Sequence, residues 1–361
     1  MKGDLLKSKQ HYELLDGLRG VAAIAVVTFH FMEIIYSDYS KNFIGHGFLA
    51  VDFFFCLSGF VIAYAYDSRI GSMGLKEFFT TRVIRLHPLV VLGSILGLVS
   101  FLIDPFMSLP AGYGFGKLTL IFVSSVLMIP YPVVAERYFN LFNLNAPAWS
   151  LFWEYVANIV YGVVLWRLSR RVLVGLLIIA AVGILFVSHS AGNLMGGWSG
   201  GTFWQGGARI AYSFLAGMLV YRYNLIIRNK LGFLGLSVML LAALMMPYTT
   251  WNWLAEALVV IVYFPFLIAL GAGAGLHAGT RGICNFSGKI SYPLYMTHYM
   301  VMFSFANYYN QYKPGTGLLV WIVVTGLVVL TAFAWLVMVL YDMPVRKYLT
   351  RLRRKVLYPA G

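Results

Sequence analysis

Two ionisable side chains that can accept a proton or attack an electrophile lie in the first long apolar run. His30 and Glu33 are three residues apart, which puts both on one face of a helix. His30 also lies eleven residues beyond Arg19, about 16 Å further along a helix and near the middle of a bilayer core about 30 Å thick. A neutral histidine beside a carboxylate acts as a general base or a nucleophile. A purely structural hydrogen bond between helices is the alternative.

A second pair of side chains, spaced to share one helix face, is cationic. Arg82 and Arg85 share one helix face and precede the pair His87-Pro88. Two neighbouring guanidinium groups favour a ligand that is rich in phosphate. Ordinary anchoring of a membrane helix by positive charge explains the same pair, and from these residues alone it is the favoured interpretation.

A third group combines acidic residues with an aromatic one. On the topology argued below, Asp52 and Glu154 join Glu33 and Glu256 in the outer halves of their helices, and Trp149 begins the fourth span. Carboxylates beside an aromatic ring suit hydroxyl-rich ligands such as sugars, although hydrogen bonds between helices are the alternative. His298 lies about eight residues into the ninth span, again near mid-depth.

The elements that position these groups follow from composition. Of 361 residues, 60% are hydrophobic and 11% are charged, and the mean hydropathy is +0.77. Soluble domains carry about 25% charged residues, so the bilayer must solvate much of this surface. Because one span needs about 20 apolar residues, the sequence predicts an all-α integral membrane protein with about ten transmembrane helices in a single domain, 1–361.

The apolar runs give the approximate bounds of these helices. We predict spans at 15–37, 48–66, 86–104, 149–166, 172–189, 206–221, 231–247, 254–272, 290–309 and 317–340, followed by a basic cytosolic tail, 341–361. Crossing parity leaves 118–133 as a re-entrant or surface segment, in agreement with its Pro130-Tyr131-Pro132 end. Cys56 and Cys284 should lie at different depths, so we expect no disulfide, and no metal-ligand spacing occurs.

Charge sets the orientation of the spans. Most of the 27 Lys and Arg residues fall at the two ends of the chain and in 67–85, 167–171, 222–230 and 281–289. The alternating loops hold only Lys41, Lys117, Arg137 and Lys313. The positive-inside rule then predicts that both termini are cytosolic. Nucleic-acid binding is disfavoured, because the charge forms short clusters and no single patch.

Six segments, in order along the chain, resemble the blocks of membrane acyltransferase family 3. They are Leu15-Asp16-Gly17-Leu18-Arg19-Gly20, the Arg19-to-His30 spacing, 51–60, Arg82-Val83-Ile84-Arg85, Trp149-Ser150-Leu151-Phe152-Trp153-Glu154 and 290–298. Each is loose by itself, but together they span residues 15 to 298. The family's topology of ten helices with both ends inside also matches the one deduced from charge.

The resemblance implies a transmembrane O-acyltransferase in the cell inner membrane. It would move an acyl group, expected to be acetyl, from cytosolic acyl-CoA to a hydroxyl of an extracytoplasmic carbohydrate or glycolipid. It implies that His30 is catalytic with Glu33, that Arg19, Arg82 and Arg85 bind the donor, and that the remaining candidates lie on the acceptor side: Asp52, Trp149, Glu154 and His298. No cofactor is expected beyond acyl-CoA as co-substrate.

Two other functions remain open at this point. A transporter for a sugar or an anionic solute would also bind its ligand at mid-membrane, although many transporters show inverted repeats and we find none. An assembly scaffold without catalysis would leave the mid-membrane His30 unexplained. The sequence does not decide between His30 as a base and as a covalent acyl carrier. Some family members carry an additional extracytoplasmic hydrolase domain. We expect none within these 361 residues, in which case a separate protein would bring the acyl group to its final acceptor.

Overall fold

The computed structural model describes residues 12–108 and 112–357, which fold almost wholly into helices. The helices are α1 (Glu13–Ile35), α2 (Ala50–Tyr66), α3 (Ile70–Met73), α4 (Leu75–Leu102), α5 (Phe115–Val126), α6 (Ala148–Val163), α7 (Arg170–Ala191), α8 (Phe203–Arg222), α9 (Gly232–Leu244), α10 (Asn252–Leu258), α11 (Phe264–Gly273), α12 (Ala278–Thr297), α13 (Tyr299–Tyr312), α14 (Thr316–Val337) and α15 (Met343–Leu357). Two π-helical turns join α10 to α11 and α14 to α15. No extended strand occurs in the described ranges.

The prediction of an all-helical membrane protein is confirmed. Within the described residues, six helical segments are long and apolar enough to cross a membrane: Glu13–Ile35, Gly47–Tyr66, Leu75–Leu102, Arg170–Ala191, Asn252–Gly273 and Thr316–Arg354. The chain is therefore a multi-pass membrane protein. Every one of the ten predicted spans overlaps a helix, but the count of ten crossings and the side of each terminus stay predictions.

The segment predicted not to cross contains a short helix. The twelve residues of α5 rise about 18 Å, which is less than a hydrocarbon core of about 30 Å. Beyond α5 the chain leaves the helical conformation, and Met128 adopts a positive φ of 57°. The backbone N–H of Tyr131 then donates to the Leu141 carbonyl, 2.9 Å away. This geometry agrees with a segment that does not span the membrane, which stays a prediction.

Two pairs of helices pack at very short range in the centre of the bundle. A Cβ atom added at Gly20 on α1 would lie 2.2 Å from the backbone carbon of Ser287 on α12. A Cβ atom at Gly217 on α8 would lie 1.8 Å from the carbonyl oxygen of Cys56 on α2. Only glycine permits such distances, so the glycine of the first motif sets how closely α1 and α12 approach. Cys56 and Cys284 are free thiols.

The basic segments meet at one end of the bundle, here called the basic end. Arg222, at the end of α8, binds Asp67 beyond α2 at 2.7 Å and the carbonyl oxygen of Leu168 beyond α6 at 3.2 Å. Arg281 on α12 forms an ion pair with Glu13 at the start of α1, with 3.2 Å between their atoms. The positive charge thus gathers on one end, as the positive-inside pattern requires. Which face of the membrane this end meets stays a prediction.

The predicted basic tail continues the last long helix. The helix α14 passes through the π-helical turn Met338–Asp342 into α15 without a break. The Tyr341 hydroxyl donates to the Pro88 carbonyl at 3.0 Å, and Arg353 donates to Thr81. Both contacts attach this helix to α4, so the described part of the tail belongs to the packed body of the protein.

Candidate active site

A cavity of about 410 Å³ opens among α1, α2, α4, α6, α12 and the start of α15. Its described lining contains five cationic side chains: Arg19, Arg82, Arg85, Lys289 and Arg346. It also contains three carboxylates: Asp16, Glu154 and Asp342. All three arginines that the resemblance assigns to the donor therefore line one space. We call this space the first cavity.

Arg19 is held firmly in the wall of the first cavity. Its Nε donates to the Ser291 hydroxyl at 2.8 Å, and one terminal nitrogen donates to the Gly288 carbonyl at 3.1 Å. Its other terminal nitrogen lies 3.2 Å from the Asp16 carboxylate. These contacts join two of the family motifs, and they depend on the close approach of α1 to α12. Arg19 is thus oriented before any ligand binds.

Arg82 and Arg85 have different environments although they share a helix face. Arg82 is buried and donates to Glu154 at 3.0 Å, while the Ser58 hydroxyl donates to the same Glu154 oxygen at 3.1 Å. Arg85 is exposed and forms no ion pair with any described residue. A buried cation needs a partner, so Arg82 is fixed by Glu154 while Arg85 remains able to bind an anion.

The pairing of Arg82 requires a correction for Glu154. We predicted that this carboxylate lies with the outer acids on the acceptor side. It lies instead in the first cavity, beside the arginines assigned to the donor. The reason is the path of α6, because Glu154, six residues after the start of α6, faces Arg82, seven residues after the start of α4. That contact is not visible in either local pattern.

His30 and Glu33 form the predicted pair on α1. The His30 Nδ1 atom is hydrogen-bonded to a Glu33 oxygen, and the Tyr39 hydroxyl donates to the other Glu33 oxygen at 3.3 Å. Burial, with the Glu33 charge beside it, raises the pKa of Tyr39, so its hydroxyl stays protonated as a donor. In the neutral tautomer whose Nδ1–H donates to this carboxylate, the lone pair of the His30 ring lies on Nε2.

His298 stacks on His30 at the junction of α12 and α13. The two imidazole rings lie 5.3 Å apart between centroids, with an angle of 21° between their planes. His298 is fully buried, and its Nδ1 is 3.1 Å from the Leu294 carbonyl, which can only accept a hydrogen bond. Its Nε2 has no partner among the described residues. The Leu294 carbonyl thus selects the tautomer of His298 with the proton on Nδ1, in which the lone pair of the neutral ring lies on Nε2.

His30 and His298 lie next to the first cavity but are not part of its lining. Phe54 and Tyr295 are the lining residues on that side of the cavity. The Tyr295 ring lies 5.6 Å from Phe54 and 6.0 Å from His298, and its hydroxyl is 2.7 Å from that of Ser150. The order from the basic end is thus arginines, Tyr295, His298 and His30.

Asp52 and Trp149 are placed differently from the predicted acceptor surface. Asp52 is fully buried and paired with Arg209 on α8, with 2.6 Å between the nearest atoms. Arg209 also donates to the Gly196 carbonyl at 2.8 Å, and the Trp149 ring lies 5.1 Å from its guanidinium carbon. As a correction, both residues belong to a closed ionic cluster inside the bundle. Trp149 is only 8% exposed, which leaves little surface for a sugar.

Several residues that shape the site were not assigned a role from the sequence. Arg209 was visible as a charge inside a span, which signals a buried partner. Tyr295 lies within a recognised motif, but its place between the cavity and the histidines depends on packing. His46 binds Glu256 at 3.1 Å in a second, fully buried pair. Across the described ranges, no three His, Cys, Asp or Glu side chains are grouped to hold a metal ion.

Comparison with known proteins supplies the family. A family model described as "Acyltransferase domain" matches residues 12–339. The "Protein 2 in picA locus" of Rhizobium radiobacter is 36% identical over 162 residues, which is 42% of this chain and 82% of that protein. No solved structure matches the chain significantly.

Several relatives have names that state an activity. A putative O-acetyltransferase of Staphylococcus aureus (strain COL) is 34% identical over 89 residues, covering 24% of this chain and 13% of that protein. Peptidoglycan O-acetyltransferase OatA of Listeria monocytogenes is 29% identical over 198 residues, covering 50% and 30%. The matches span less than a third of these two relatives. Because the family model extends over nearly all of the described residues, the chain belongs to this acyltransferase family.

Proposed function

We propose that this membrane protein transfers an acetyl group from acyl-CoA to a hydroxyl of a carbohydrate or glycolipid on the opposite side of the bilayer. The observation that supports this most is the convergence of Arg19, Arg82 and Arg85 on one cavity. That cavity ends at a tyrosine that contacts the histidine pair. The choice of an acetyl group rests on the names of the O-acetyltransferase relatives.

The donor would enter from the basic end. Its phosphates would bind Arg85, which is exposed and unpaired among the described residues, with Arg19 and Arg82 adding positive potential from the wall. Guanidinium groups match the geometry of phosphate oxygens. The positive-inside rule favours the cytosol for this end, which is where acyl-CoA is available. The proposed location is accordingly the cytoplasmic membrane.

His30 would perform the transfer by one of two routes. As a base, its Nε2 takes the proton of the acceptor hydroxyl while that oxygen attacks the thioester carbonyl. The carbon–sulfur bond then breaks, and the CoA thiolate receives the proton. As a carrier, Nε2 attacks the carbonyl first, the carbon–sulfur bond breaks, and CoA leaves as the thiolate. The acceptor oxygen then displaces the neutral imidazole from the acyl group, and the hydroxyl proton that it loses is the one that converts the CoA thiolate to the thiol. Glu33 would hold the ring in the same tautomer in both routes.

The acceptor would approach from the end opposite the basic end. Glu33 lies two residues before the end of α1, and Tyr39 belongs to the loop that follows. The side chains of His30 and Glu33 are 19% and 22% exposed, so the pair is accessible although it is not part of the first cavity. Tyr39 and Glu33 would then meet the acceptor in place of Asp52, which is committed to Arg209.

The test is a transfer assay on the full-length chain in proteoliposomes. Labelled acetyl-CoA is supplied at the basic end, and free CoA thiol and label on added glycan are measured together. An acyltransferase releases one CoA for each acetyl group transferred, and His30→Gln abolishes both signals. A transporter or a scaffold releases no CoA. Wild-type protein that accumulates a solute without cleaving acetyl-CoA would contradict the proposal.

A further inference from the structure

A second cavity, of about 450 Å³, adjoins the first at the basic end. The two share seven lining residues, among them Arg19, Arg82, Arg85 and Arg346, so they are parts of one continuous space. The second cavity adds side chains from α15 and from the start of α4, including Arg353, Thr350 and Thr81. The segment interpreted from sequence as a basic tail thus forms one wall of the site.

One face of α15 is directed into this space. Arg346, Thr350 and Arg353 are four and three residues apart, the spacing of a single helix face. On the other face Lys347, Arg351 and Arg354 are exposed. Positive-inside anchoring explains the exposed set. It does not explain why two arginines of the same helix turn towards a cavity that is already rich in cations.

Arg353 is partly buried and incompletely bonded. One of its terminal nitrogens donates to the Thr81 hydroxyl, while its Nε is buried and has no partner among the described residues. It forms no ion pair in the described part of the chain. Arg346, by contrast, is paired with Asp342 at 3.2 Å. Arg353 therefore has hydrogen-bond donors that an anion in the second cavity would satisfy.

The lining matches a nucleotide that carries a phosphomonoester. Five arginines face it, and Asp16, the one carboxylate among its described lining residues, lies 3.2 Å from Arg19. Tyr12 and Tyr64 contact each other edge to face, with 5.0 Å between ring centroids, and both line the cavity. Aromatic rings of this kind pack against a planar base.

We propose that α15 is part of the donor site, and that Arg353, supported by Arg346, binds the 3′-phosphate of the adenosine end of acyl-CoA. The first cavity then holds the diphosphate and the pantetheine arm, which extends towards Tyr295. This inference rests on the proposed function. The same phosphomonoester chemistry occurs in the headgroup of phosphatidic acid, so the experiment includes that source as a separate arm.

The test measures binding of acetyl-CoA and of its 3′-dephospho analogue to the full chain in phosphatidylcholine nanodiscs. Wild type should prefer the 3′-phosphorylated donor. Arg353→Gln should weaken binding of acetyl-CoA about tenfold or more and remove that preference. Arg351→Gln and Arg354→Gln remove the same charge from the exposed face of α15 and should change affinity about threefold or less. Arg353→Lys is the more conservative variant, because it keeps the positive charge. It should lose part of the preference for the 3′-phosphorylated donor.

The outcomes separate this inference from the proposed function. Wild type that binds neither donor would overturn both. Wild type that prefers the 3′-phosphate, with the preference unchanged in Arg353→Gln and Arg353→Lys, would overturn this inference alone. The second arm repeats the measurement in nanodiscs that contain phosphatidic acid. If Arg353→Gln loses affinity only in those nanodiscs and keeps the preference for the 3′-phosphorylated donor, Arg353 binds lipid. That result would also overturn this inference.

Discussion

The imidazole of His298 lies face to face with that of His30, 5.3 Å away between centroids, although 268 residues separate them in the chain. His298 is fully buried, and its Nε2 is unpartnered in the described structure. It stands between His30 and Tyr295, which lines the first cavity. His298 thus connects the wall of the first cavity to His30 through ring contacts.

His30 is the residue on which the proposed chemistry depends most. We expect His30→Gln to lower transfer by at least about a hundredfold, because glutamine keeps a hydrogen bond but loses the basic nitrogen. The measurement is acetyl transfer per correctly inserted molecule. His189→Gln, an exposed histidine at the end of α7, is the matched control and should leave transfer unchanged. Activity of His30→Gln within about threefold of wild type would move the chemistry to another group, with His298 the next candidate.

Arg85 and Arg82 should respond differently to the same substitution. Arg85→Ala removes an exposed, unpaired cation, so we expect KM for acyl-CoA to rise about tenfold to a hundredfold with thermal stability unchanged. Arg82→Ala leaves Glu154 without its partner in the cavity wall, so it should also lower the melting temperature. Measuring KM and thermal unfolding together separates the two roles. Equal losses of stability in Arg82→Ala and Arg85→Ala would contradict the difference between a buried, paired Arg82 and an exposed Arg85.

The ion pair between Asp52 and Arg209 should stabilise the bundle without binding the acceptor. Both side chains are fully buried, and removing one partner of such a pair costs about 3–5 kcal/mol. Asp52→Asn should therefore lower the melting temperature sharply. The double variant Asp52→Asn with Arg209→Gln leaves no uncompensated charge and should recover much of that loss. An unchanged melting temperature in Asp52→Asn, together with weaker acceptor binding, would restore Asp52 to the acceptor side.

The close approach at Gly20 should be essential for the orientation of Arg19. A Cβ atom there would overlap the backbone of Ser287, so Gly20→Ala should push α1 away from α12 and reduce both stability and transfer. Gly183→Ala on α7 is the control, because no atom lies within 4 Å of its added Cβ. It should be neutral or stabilising by about 0.5–1 kcal/mol. A Gly20→Ala variant that is as stable and as active as Gly183→Ala would contradict the close approach of α1 to α12.

The orientation of the bundle can be checked with reporters. We expect a fusion at Gly361 to give a cytosolic signal and a fusion in the loop 190–205 to give the opposite one, because the positive charge gathers at the basic end. Two reporters provide the measurement, one that is active only in the cytosol and one that is active only outside it. The same signal at both sites would contradict the predicted topology.

The sequence by itself determined the features that depend on local order. Composition and apolar run length identified an all-helical, multi-pass membrane protein. The charge pattern grouped the segments of the basic end, and a separation of three residues placed His30 beside Glu33. The same periodicity put Arg82 and Arg85 on one face. These results follow because helix geometry relates residues that are neighbours in the chain.

Contacts between distant segments were decided only by the tertiary structure. Glu154 pairs with Arg82 across 72 residues, and Asp52 pairs with Arg209 across 157, so both carboxylates have partners that the sequence did not indicate. The role of α15 as a cavity wall likewise required its packing against α4. The physical reason is that a helical pattern shows which residues share a face. Which two faces meet, at what depth and at what distance, depends on packing between helices, here set by backbone approaches such as that at Gly20.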